Sequence, residues 1–458
     1  MSTGKSSYTL ATVESYPDIL RKVCIGTALR RHRDIVYDRL NRDDKLKIES
    51  RFESCLLGRC RGDLLWDTAA CYSCVKKDNC PFYTKIRCLR HMDRFCVVTT
   101  HDIVSTIYPF TQVTILDEVD VTLKRIRMYS EKYVDHVTKV FPEAEKKVRG
   151  LLKRGFSVKK FVVREDGGLR VELFYITPYY DISERVEKRP HVSITATLPV
   201  PNPDDPFIKE ALDVGVPEEE LEMTLQSMVL GLANLILGSF DPFSVFNIIY
   251  LHNLLKNDFI LVNKGKVYVS QSRGVATALK YTCKIVEKAV EKGYTVGVVA
   301  PNYRIAREIK MRVGVKPNVD VIVVGGKESR GINRDKDVVV AWYQYPRPET
   351  EAGDLFVKLR MSTFRYFYLP FEAAGIPPSR IVDMLYKITI AAENVQTLFR
   401  FIRKSRAGRS HIVVLLDYRM LQAMKWFRST VEYLRDNESR LAVYSGLVEL
   451  YKNTVNLL

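Results

Sequence analysis

The sequence predicts an α/β protein built on two parallel sheets, and three observations carry that prediction. Short β-branched runs such as "FCVVTTHDIV" (95–104) and "QVTILDEVD" (112–120) end in polar residues. Strands of a buried parallel sheet read this way, with function at their C-terminal ends. In the second half, a helical stretch "GVATALKYTCKIVEKAVEKG" is followed by the strand runs "TVGVVAPN", "VDVIVVGG", "DVVVAWYQYP" and "HIVVLLDYR", with helices between them. Strands alternating with helices make parallel sheets. The third observation is the Pro- and Asp-rich "VPNPDDPF" (200–207), the best linker in a chain of 458 residues, which is long enough for two or three domains. The expected domains are 1–200 and 206–458.

The elements of the first domain follow in order. "RKVCIGTALRRHRDIVYDRL" (21–40) reads as a strand ending at Thr27, then a basic helix. The cysteine-rich stretch of about 50–92 has no apolar period and is expected to fold around a metal. Residues of about 121–155, with "KKVRGLLKRG", read as helical and basic. "VKKFVVREDGGLRVELFYI" (158–176) reads as a hairpin turning at Asp166-Gly167-Gly168. "HVSITATLPV" (191–200) is another buried strand. In the second domain, the most apolar region (227–255) is broken by Asp241-Pro242 into halves shorter than the ~20 residues of a membrane span, so two buried helices are expected. They fall within a helical region of about 209–263. Met1 leads into small polar residues rather than a signal peptide, and a cytoplasmic protein is expected.

Composition narrows the function. Hydrophobic residues at 46% and charged residues at 27% exclude a mainly disordered chain. A net charge of +17 points to a polyanionic partner, of which nucleic acid is the commonest. Seven of the nine cysteines (Cys55, Cys60, Cys71, Cys74, Cys80, Cys88, Cys96) lie in one short stretch. Without a secretory signal such a cluster indicates metal rather than disulfides.

Four motifs carry chemistry. "STGKSS" at the N-terminus looks like the tail of a phosphate-binding loop, Thr3-Gly4-Lys5-Ser6-Ser7, whose first Gly and preceding strand are absent from the sequence. "VTILDEVD" puts Asp117 and Glu118 at the end of an apolar strand, where Asp117 can hold Mg²⁺ and Glu118 can orient or deprotonate water. Cys60, Cys71, Cys74 and Cys80 follow C-x10-C-x2-C-x5-C. Four thiolates suit either tetrahedral Zn²⁺ or a [4Fe–4S] cluster, and spacing does not choose between them. Cys55, Cys88 and Cys96 are left over. In "ENVQTLFRFIRKSRAGRSHIVVLLDYR", Gln396, Arg400 and Arg403 share one helix face, and two arginines there could reach a γ-phosphate across a cleft.

Taken in order, these segments resemble the XPD/DinG-like iron–sulfur helicases of superfamily 2, from Thr3 to about Arg419. "TGKS" looks like the end of motif I, "CIGTALRRHRD" like motif Ia and "LDEVD" like motif II. "CPFY" after the cysteines is similar to that family's iron–sulfur domain, and "VVTTHDIV" to the strand before motif II. "ITPYYDISERVEKRPHVSITATLP" resembles the approach to motif III and the motif itself. "VVGGKESRGIN" with "QYPRP" resembles motif V and its sequel, and "QTLFRFIR" motif VI. The resemblance implies two RecA-like domains, the first with a [4Fe–4S] insertion and a reduced, helical arch-like insertion at 121–155. It implies ATP as substrate and a motor on single-stranded or forked DNA, running 5′ to 3′, in DNA repair or replication with a protein partner from that process. Residue by residue, Lys5 would contact the β/γ-phosphates, Ser6 and Asp117 would ligate Mg²⁺, and Glu118 would activate water. Arg400 and Arg403, with Gln396 beside them, would complete the site. Thr27, Arg30 and Thr99 would contact DNA phosphates. The sequence departs from the family at Asp120, Arg330 and Asn333, and it lacks the front of motif I. Those departures define the rival reading, an ATPase-deficient iron–sulfur or zinc nucleic-acid-binding protein on a helicase scaffold.

Overall fold

The computed structural model describes residues 5–118, 128–153, 156–163, 169–176, 191–195, 197–223, 225–226, 258–262, 271–326, 328–329, 334–344, 375–402, 412–428, 430, 441–444 and 447–458. The two apolar helices expected within 227–255 lie outside these, as do Asp120, Arg330 and Asn333.

The chain is a mixed α/β protein with two separate parallel sheets. The first has the order β2-β3-β1-β4-β8, from β1 (Lys22–Thr27), β2 (Lys45–Lys47), β3 (Phe95–Thr100), β4 (Val113–Asp117) and β8 (His191–Ile194). All its pairings are parallel. β3 is buried at all six positions, which is why it reads as a continuous apolar run rather than an alternation. The second sheet has the order β11-β10-β12-β13-β9-β14. Its strands are β9 (Asp258–Val262), β10 (Val296–Ala300), β11 (Val319–Val323), β12 (Val338–Ala341), β13 (Ile412–Leu415) and β14 (Leu441–Tyr444), again all parallel.

One apolar cluster joins the two sheets. It includes Cys24, Phe95 and Leu116 from the first, Phe207 and Ile208 after the linker, and Val299, Val413 and Phe427 from the second half. The linker lies against the second half: the Val200 N–H donates to Trp426 O at 2.9 Å and Asn202 Nδ2 to Gln422 O at 3.0 Å.

The expected basic helical stretch after β4 is only partly helical. Helices α6 (Glu131–Val140) and α7 (Glu145–Lys153) are present, but Met128–Ser130 forms β5. It pairs antiparallel with β7 (Leu169–Ile176), which in turn pairs with β6 (Phe156–Val163), giving a third sheet, β5-β7-β6. Ser130 ends the strand because its side chain accepts from the Tyr133 N–H and so starts α6. This unit packs on the cysteine-bearing helix α3 (Leu64–Tyr72): Leu65, Trp66, Ala69 and Ala70 share a core with Val134, Val137, Phe141 and Val148. The Tyr129 hydroxyl donates to Asp63, the residue that caps α3.

Candidate active site and cysteine cavity

Strand register brings the first group of side chains together. β1 lies beside β4 with Thr27 opposite Asp117, so the C-terminal ends of the two strands and the start of helix α1 (Lys5–Ser15) share one edge. Ser6 Oγ donates to Asp117 Oδ2 at 2.8 Å. His32, on helix α2 (Arg30–Arg39), places Nε2 3.3 Å from Ser6 Oγ and 3.7 Å from Asp117 Oδ2. His32 and Asp117 are buried and Ser6 is half-buried.

Glu118 takes an unusual backbone conformation. Its φ is +57°, the left-handed region that non-glycine residues occupy at a cost of about 1–2 kcal/mol. Its N–H donates to Ile194 O at 2.9 Å, continuing the β4–β8 ladder one residue beyond the strand. The carboxylate meets a residue from the other sheet: Arg400 Nη2 donates to Glu118 Oε1 at 3.0 Å. Both partners are largely buried, with 12% and 7% of their side-chain surface exposed, so screening by water is weak. Arg400 Nε also donates to Ser329 O at 2.8 Å. One turn earlier, Gln396 Nε2 donates to Thr197 Oγ1 at 3.1 Å, a second contact between the halves.

Arg400 is aimed by its neighbour. It follows the long helix Pro378–Leu398, and Phe401 beside it is fully buried against Gly297 on β10. A Cβ on Gly297 would stand 2.5 Å from the Phe401 ring. Gly297→Ala is therefore expected to lower stability by about 1–3 kcal/mol, the usual cost of overpacking. Chemical denaturation checks this, and an unchanged midpoint would mean that Phe401 does not depend on that notch.

The second group surrounds a cavity. Cys55, Cys60, Cys71, Cys74 and Cys80 all line it, together with Arg51, Arg59, Lys76, Lys77 and Tyr83; the space is ≈ 400 Å³, part of it open to solvent. Cys71 is on α3, Cys74 follows its end, and Cys80 caps helix α4 (Pro81–Leu89). The Cys60 and Cys71 sulfurs are 3.6 Å apart. The Cys71 thiol is pulled down to about 7, first by the thiol hydrogen bond from Cys60, against burial, with Arg51 and Tyr83 adding to the effect. Burial raises Cys55, but N–H groups of Cys60 and Leu57 outweigh it and lower this thiol too. Both shifts favour the thiolate, the ligating form.

Among the described residues, no group of three or more His, Cys, Asp or Glu converges closely enough to hold a single metal ion. For Mg²⁺ this is no obstacle, because that ion usually takes one or two carboxylates, waters and substrate phosphates rather than a protein cage. The Ser6–Asp117 pair fits that demand. The cysteine cavity fits a multi-iron cluster in donor kind and number: among the described residues, five thiols and several cations line it and no carboxylate does.

The other expected site residues fall as follows. Thr27 and Thr99 are fully buried, and their hydroxyls donate to carbonyl oxygens, Thr27 to Thr99 O at 3.2 Å and Thr99 to Ile48 O at 2.8 Å. Neither hydroxyl reaches the surface. Arg30 does, with its guanidinium 5.3 Å from the Phe52 ring centre and Nε 3.5 Å from Glu53. Ser7 is exposed and accepts from Arg39 Nη2 at 3.0 Å. Thr3, Gly4, Arg403 and the Lys5 side chain lie outside the described residues. His32, Thr197 and Ser329 were not legible as site residues in the sequence, because each acts through a partner far away in the chain.

No family model matches the chain, and no curated protein matches it significantly. Solved structures do. An XPD helicase aligns over 94% of this chain and 93% of its own, with a TM-score of 0.50 and 15% identity. An apo XPD (TM-score 0.46, 12% identity, 96% and 95% covered) and Xpd4 of S. tokodaii (0.44, 10%, 96% and 94%) align over similar spans. At such identity the first of these shows a shared fold. Among the described residues, no helix is long and apolar enough to cross a membrane.

Proposed function

We propose that this chain is an ATP-driven motor on single-stranded DNA, with ATP bound between its two parallel-sheet domains. One observation carries the reading: Glu118 of the first half and Arg400 of the second meet at 3.0 Å, next to the Ser6–Asp117 pair. A hydrolytic site split between two halves needs this division of labour. One side supplies a carboxylate to position water and the other an arginine for the charge on the γ-phosphate, and cleft closure brings them together. Mg²⁺, when bound, would neutralise charge on the β- and γ-phosphates. Ser6 and Asp117 are the residues that would hold it, and His32 keeps that pair oriented. Lys5, one residue before Ser6, would reach the same phosphates. Gln396 and Thr197 would report nucleotide state from one half to the other, with Arg403 a further cationic contributor. Because ordered motion of the halves follows nucleotide state, basic and aromatic surface such as Arg30 over Phe52 would track the strand.

The cluster is part of the proposal. Iron and sulfide held by cysteine thiolates would fix the α3–α4 insertion as a rigid body, and its core is shared with the β5-β7-β6 unit. A 5′-to-3′ direction and a place in repair or replication follow from the resemblance. Single-strand-stimulated ATP hydrolysis by the anaerobically purified chain tests the motor reading. Stimulated hydrolysis supports it; tight DNA binding without hydrolysis would favour a binding protein on the same scaffold.

A further inference from the structure

The cavity holds one thiol more than a four-iron cluster needs, and the geometry singles out which. In a [4Fe–4S] cluster each thiolate binds a different iron, so its four ligands sit on separate corners. Cys60 and Cys71 are in sulfur–sulfur contact at 3.6 Å, which does not suit two separate corners. Cys71 is tied to Cys74 at the end of α3, where the Cys74 N–H donates to Cys71 O at 3.4 Å, and Tyr83 lines the same cavity. Cys60 is the more buried of the contacting pair, at 5% exposed against 8%.

The turn that carries Cys60 is also pinned. Trp66 Nε1 donates to Arg59 O at 2.8 Å, and Asp67 accepts from the Arg61 and Gly62 N–H groups at 2.7 and 3.1 Å. Gly62 completes the turn at φ +79°. These bonds fasten residues 59–62 to α3 itself, which keeps the Cys60 main chain beside Cys71. Cys55 sits earlier, on the 50–58 turns, and lines the same cavity.

We propose that Cys55, Cys71, Cys74 and Cys80 are the cluster ligands, and that Cys60 is a fifth, non-ligating thiol whose S–H donates to Cys71 and sets the reduction potential. This rests on the cluster reading above. A donor on a ligand sulfur stabilises the more negative, reduced cluster, so its removal makes reduction harder.

The test uses the full chain reconstituted anaerobically with iron and sulfide. Iron and acid-labile sulfide per chain are measured, with an EPR-monitored redox titration, for the wild type and for Cys55→Ala, Cys60→Ala and Cys60→Ser. The expected result is full iron in both Cys60 variants, a more negative midpoint in Cys60→Ala, and a midpoint near wild type in Cys60→Ser, whose hydroxyl still donates. Cys55→Ala is expected to lose iron. Iron loss in both Cys60 variants, or full iron in Cys55→Ala, would overturn the ligand assignment. Full iron with an unmoved midpoint in Cys60→Ala would overturn the tuning role. A wild type that takes up zinc and no iron would instead remove the cluster reading on which the inference stands.

Discussion

Glu118→Gln is expected to lower kcat for ATP hydrolysis by about 10²–10⁴-fold, the usual loss when a positioned general base is removed. ATP affinity should change little. The amide is isosteric with the carboxylate and its oxygen still accepts from Arg400, so the contact between the halves survives as a neutral hydrogen bond. The left-handed backbone at Glu118 is unaffected, because Gln bears the same Cβ as Glu and the Ile194 O bond is made by the main chain. What disappears is the carboxylate that would take a proton from water at this point. Single-turnover hydrolysis beside equilibrium binding of a fluorescent ATP analogue separates the two effects. Hydrolysis within a few-fold of wild type would show that Glu118 serves only as the structural partner of Arg400.

The parallel strands were legible because burial on both faces leaves a chemical trace. β3, β10 and β12 are buried at every position and accordingly read as unbroken Val-rich or Thr-ended runs. β2 left none: "KLK" is three residues long, and its Lys45 is committed to the Tyr37 and Leu40 carbonyls. β5 hid inside a basic stretch whose later residues are helical, and only pairing across to β7 makes Met128–Ser130 extended. Tertiary contact overrides local preference there, as it commonly does in strands.

The site was legible in part for a similar reason. Asp117 and Glu118 announce themselves as acids ending an apolar strand, and the cysteines by their spacing. Which thiols touch cannot be counted from spacing, since the Cys60–Cys71 contact depends on how Trp66 and Asp67 fold the 59–62 turn back on α3. Nor does any local pattern mark His32, whose meaning comes from a strand pairing that delivers Asp117 to it. The carbonyl partners of Thr27 and Thr99 were not legible, because a polar residue at a strand's end looks the same whether it faces solvent or a neighbouring carbonyl.

Arg400→Ala is expected to cut kcat by about 10³-fold while ATP affinity stays within a few-fold, since arginines that reach a transferring phosphoryl group contribute about 10³–10⁵ in rate. The geometry explains the asymmetry. The guanidinium is held by Glu118 Oε1 and Ser329 O, both within 3.0 Å, so bound ATP must compete with these partners in the ground state. The extra negative charge that develops on the γ-phosphate in the transition state tips that competition, and only that gain appears in kcat. Arg400→Lys should recover little, because a single ammonium cannot span Ser329 O and a second acceptor as the planar fork does. The loss of Arg400 also removes one side of a buried ion pair with Glu118. Removing one member of a buried ion pair costs about 3–5 kcal/mol where no water enters. The variant should therefore unfold at lower denaturant concentration, and saturating ATP with Mg²⁺ should restore part of that loss by linkage. The decisive comparison is affinity for ADP against ADP with aluminium fluoride. Wild type should favour the fluoride complex strongly, and Arg400→Ala should hold both about equally. A variant that keeps the preference would place the arginine's role in the contact between the halves and not in the reaction.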